Sequence, residues 1–70
     1  MVTDVDDTSQ ALARLSSLAS QLDDLVRGLG DVADQLQRAG RADSSSLLFE
    51  AERSLTAASR RLETARRSLH

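Results

Sequence analysis

The sequence predicts an all-α fold, an antiparallel two-helix hairpin of coiled-coil type that is expected to assemble into a four-helix bundle. Three observations carry this. Proline is absent, apolar residues recur in one seven-residue rhythm along both halves, and a glycine at position 40 interrupts that rhythm once.

Residues 1–6 are expected to form an acidic tail, with helix 1 over residues 7–39. Asp7 suits an N-cap, with Gln10 reaching back as in a capping box, and Asp4 and Asp6 suit the positive end of the helix dipole. From there Ala11, Leu15, Leu18, Leu22, Leu25, Leu29, Val32, Leu36 and Ala39 follow alternating steps of four and three. With Leu15, Leu22, Leu29 and Leu36 at a, the d positions are Ala11, Leu18, Leu25, Val32 and Ala39, which is the seam of a left-handed coil. The e positions are apolar as well: Leu12, Ala19, Val26 and Ala33.

Gly28 and Gly30 lie inside this helix, each costing about 1 kcal/mol relative to Ala. The heptad crosses them without a slip, so the reading is one continuous, bent helix. A break into three helices, or close approach of a neighbouring helix, are the alternatives. Gly40 fits a C′ cap and residues 40–43 a turn, with Asp43 or Ser44 as the next N-cap.

Helix 2, residues 44–69, places Leu48, Leu55, Leu62 and Leu69 at a and Ala51, Ala58 and Ala65 at d. Folding about the turn puts residues whose numbers add to roughly 84 at one height. Leu36 then meets Leu48, Leu25 meets Ala58 and Leu18 meets Ala65, large against small. The same register sets Asp23 and Asp24 beside Arg61 and Arg60, and Asp31 beside Arg53.

A chain of 70 residues has room for one domain, and its burial is marginal. It holds no cysteine, so disulfides and thiolate metal sites are excluded as reinforcement. The a, d and e columns of helix 1 make a stripe wider than one neighbouring helix can dry, so further helices are implied.

The expected function is therefore non-enzymatic helix–helix association, as a small adaptor, regulator or scaffold, with itself as a homodimer or with a helical protein partner. The interaction residues are Leu12, Leu15, Leu18, Leu22, Leu25, Val26, Leu29, Val32, Leu36, Leu47, Leu48, Phe49, Leu55, Leu62 and Leu69. Phe49, the only aromatic, falls on b. It either packs within a homo-oligomer or over the hairpin end, or anchors another protein.

The rival class is capture of an anionic ligand, whether nucleic acid, nucleotide or acidic protein. Arg53, Arg60 and Arg67 recur every seven residues, with Arg61 and Arg66 alongside. A solvated face paired to the Asp-rich first helix is the plainer account of that stripe. A formal net charge of -2 and the lack of stacking aromatics speak against nucleic acid.

No other chemistry assembles from the sequence. Asp23, Asp24, Asp31 and Asp34 spread around the outer surface, and no Glu-x-x-His pair is present, so no metal is expected. His70 is the single histidine and Ser44-Ser45-Ser46 has no second His or Cys to activate it, so neither catalysis nor a cofactor is expected.

The acidic start lacks the pattern of a signal peptide, and no apolar run approaches the ~18 residues of a membrane span. Cytoplasmic residence is the expectation, with leaderless export left open. All nine basic residues are arginine, a usage expected of a GC-rich, actinobacterium-like source.

In outline the hairpin is similar to the small secreted proteins built on a Trp-x-Gly turn, although the turn here reads Ala39-Gly40-Arg41-Ala42. Glu50-x-x-x-Ser54 resembles the opening of the motif in cyclic-dinucleotide-binding anti-sigma hairpins, with Ala57 where that motif has Arg. Both resemblances end at the architecture, and neither implies a family or a bound nucleotide.

Overall fold

In the computed structural model, which describes residues 3–69 and side-chain surroundings from 7 to 69, the chain forms two helices. Helix α1 spans Thr3–Arg38 and helix α2 spans Ala42–Ser68. They pack on each other along a rod of 60 × 15 × 11 Å. At 1.5 Å per residue α1 is about 54 Å long and α2 about 40 Å, so the first turns of α1 overhang the end of α2. Residues 7 to 11 are all exposed.

The expected acidic tail is helical from Thr3, so Asp7 lies inside α1 rather than at its cap. No residue between Thr3 and Asp7 opposes helix strongly, and the early aspartates favour the positive dipole end. Helix α1 also runs unbroken through Gly28 and Gly30. The packed seam on both sides of the glycines outweighs their propensity cost.

The turn follows from glycine at position 40, whose φ of 82° is left-handed and open to glycine without strain. Arg41 N–H donates to Leu36 C=O at 2.8 Å and Gly40 N–H to Gln37 C=O at 3.1 Å, a Schellman closure of α1. Helix α2 then starts earlier than expected. Arg41 is its N-cap residue and makes no side-chain cap bond, whereas Asp43 Oδ1 accepts from Ser44 N–H at 2.8 Å within the first turn. Arg66 and Arg67 occupy the last turn of α2, where cations oppose the dipole favourably.

Candidate functional site, an apolar face of the hairpin

What the two helices bury between them is small. Ala33 is fully buried, Ala19 and Ser45 nearly so, and no large side chain is. The two alanines belong to the e column of α1. The a residues Leu15, Leu22, Leu29 and Leu36 are half-buried, as are Leu12 and Val26 at e. The d residues stand out: Leu18 is 49% exposed, Leu25 54% and Val32 43%.

The hairpin therefore closes on a and e of α1 and leaves d outside. The inner face is rotated by roughly 50° from the expected a/d seam, at 100° of helical turn per residue. Short side chains explain the choice, because two helix axes come closest where Ala or Ser lines the contact, and Leu, Leu and Val at d would hold them apart. The expected enclosed layers of Leu18 on Ala65, Leu25 on Ala58 and Val32 on Ala51 are accordingly not sealed.

The closing side is polar at its edge. A methyl group on Gly30 would come within 3.0 Å of Glu52 Oε2, so the carboxylate lies against bare backbone. Ser59 Oγ donates to Asp23 Oδ1 at 3.1 Å. Both pairs have numbers adding to 82, which fixes which residues share a height. Gly30 is thus the glycine that permits close approach, while Gly28 has nothing within 4 Å. Buried Ser45 is satisfied locally, its Oγ donating to Ala42 C=O at 3.1 Å.

Helix α2 keeps Leu48, Phe49, Leu55 and Leu62 half-buried together with Ala51, Ala58 and Ala65. Phe49 is thus partly covered by its own hairpin. Leu47 is 66% exposed and Leu69 39%. Because the helices are antiparallel, their residues advance in opposite rotational senses when viewed down the rod, and the two d columns fall on one broad face. That face carries Leu18, Leu25 and Val32 beside Ala51, Ala58 and Ala65, with Leu47 at its rim. The Glu52 and Ser59 contacts lie on the opposite face.

The charges also separate by helix. Among the described residues the ion pairs stay within a helix: Arg27–Asp24 at 3.1 Å, Arg66–Glu63 at 3.5 Å and Arg67–Glu63 at 3.9 Å. The expected bridges from Asp23, Asp24 and Asp31 to Arg61, Arg60 and Arg53 do not form. Asp24, Asp31, Arg53 and Arg60 sit at c and f, on the outer backs of their helices, and Asp23 is taken by Ser59. By residue count α1 is acidic, with seven Asp against three Arg, and α2 is nearly balanced, with five Arg against four acidic residues. Among the described residues no group of His, Cys, Asp or Glu could hold a metal ion, and no helix is long and apolar enough to cross a membrane.

Comparison with protein families, curated proteins and solved structures finds no match to this chain.

Ala19, Ala33 and Ser45, the residues that close the hairpin, are absent from the expected interaction set. Their signal in the sequence is size: they are the small residues of a column one step from the leucines, where backbones can touch.

Proposed function

We propose that this chain is a non-enzymatic association module, a homodimeric helical hairpin that serves as an adaptor, regulator or scaffold by helix–helix contact. The observation that carries this reading is the row of Leu18, Leu25 and Val32, aliphatic, seven residues apart and about half exposed. Natural monomers seldom leave so regular an apolar ridge to water.

The surface area supports it. A compact monomer of 7.6 kDa exposes about 4,300 Å² by the usual scaling of area with mass, against 5307 Å² here. The excess of about 1,000 Å² is close to the ~800 Å² that each partner buries in a standard interface. A second hairpin on the d face would complete a four-helix bundle.

Sedimentation equilibrium tests the reading on the purified chain. A dimer at micromolar concentration is the expected result, and a stable, fully helical monomer overturns it.

Arg53, Arg60 and Arg61 support a second reading, because among the described residues they have no carboxylate within ion-pair reach. With Arg66 and Arg67 they could take an anionic ligand. Binding of a polyphosphate probe that collapses between low and moderate salt would favour it, and no binding at low salt would remove it.

A further inference from the structure

The geometry points to one arrangement of the dimer: two hairpins face to face about a two-fold axis parallel to the helices, with both Gly40 turns at the same end. This rests on the homodimeric reading above and adds the symmetry.

Only two symmetric ways exist to press the d faces together with the helices aligned. An axis parallel to the helices lays α1 of one copy on α2 of the other. An axis across them lays α1 on α1 and α2 on α2, with the turns at opposite ends. Side-chain size on that face chooses between these.

The exposed column of α1 is Leu18, Leu25 and Val32, and the matching column of α2 is Ala51, Ala58 and Ala65. The contacts of Gly30 with Glu52 and of Asp23 with Ser59 give the register, and by that register Leu18 shares a height with Ala65, Leu25 with Ala58 and Val32 with Ala51. A parallel axis preserves height. Every large residue of one copy therefore comes to rest over a small residue of the other, as in a well-filled core. The crossed axis sets the Leu and Val ridge on itself and alanine on alanine, which wedges one side of the bundle open.

The chain has no cysteine, so a single nitroxide can be placed at Ala39→Cys, in the exposed turn, or at Thr64→Cys, exposed near the other end. Double electron–electron resonance then reads the distance between copies. With the parallel axis both sites give distances below about 25 Å. With the crossed axis the two distances add up to at least about 60 Å, twice the rise of roughly 32 Å between the sites along the rod, so at least one of them exceeds about 30 Å. Sedimentation of the same labelled samples keeps the two questions apart. A dimer with short distances at both sites supports the assignment, and a dimer with a long distance at either site overturns the symmetry while leaving the homodimer in place. A monomer overturns both and gives the face to a different protein's helix.

Discussion

Two columns of helix α1, one residue apart in the heptad, meet opposite fates. At e, Ala19 and Ala33 are sealed against α2, whereas at d, Leu18, Leu25 and Val32 stand about half in water. Hydrophobicity alone would have sealed the leucines. A lone pair of helices gains more from letting its backbones meet over small residues than from covering one flank of a leucine ridge. The alanines thus hold a chain to itself, and the leucines remain available to hold it to something else.

The sharpest way to break that contrast is to place a carboxylate in each column. Ala33→Asp buries an unpaired charge between the helices and costs about 3 kcal/mol or more. In a hairpin with no large buried side chain this should abolish cooperative helix melting at every concentration, followed by circular dichroism. Leu25→Asp acts on the other column. It should weaken self-association at least about 100-fold, read by sedimentation, equivalent to about 2.7 kcal/mol. A Leu25→Asp chain that still sediments as a dimer would mean that the d face is not the contact.

The turn bears on both columns, because it delivers α2 to the e side. Gly40→Ala forces a side chain into a φ of 82° and should cost about 1 kcal/mol. Thermal melting should shift by a few degrees with the oligomeric state unchanged. A change of mass instead would show that the turn, and not the small residues, decides which column closes.

The hairpin itself was legible in the sequence, because proline-free heptads either side of Gly40 leave a chain of this length few alternatives. The continuity of α1 through Gly28 and Gly30 followed from the unbroken rhythm. The closing column was not legible. All three apolar columns of α1 satisfy the pattern, and reading it by hydrophobicity favours d over e as the partner of a, because Leu18, Leu25 and Val32 are larger than Ala19 and Ala33. Axis separation, which favours e, depends on both helices at once, and a periodicity count along one helix does not contain it. The cross-helix ion pairs failed for a related reason: shared height was right for Asp24 and Arg60, but c and f positions point outward. Capping was misread at Asp7 and Asp43, where each helix starts before the residue expected to cap it.

The two interior glycines give the finest probe, because one borders each side of the hairpin. Gly30 lies on the closing side, where an added methyl meets Glu52 Oε2 at 3.0 Å, and Gly28 borders the d column with nothing within 4 Å. Alanine is worth up to about 1 kcal/mol over glycine within a helix, so Gly28→Ala should raise stability by about 0.5–1 kcal/mol. Gly30→Ala gains the same propensity but has to displace the carboxylate. The obstructing atom ends a flexible side chain and can swing aside, so the gain should shrink without reversing. Chemical denaturation of the two variants under one buffer measures the difference. If Gly28→Ala instead destabilised the dimer, a second chain would have to approach the α1 backbone closely at that point, which would place the rim of the interface beside Gly28 and tighten the packing expected of the d face.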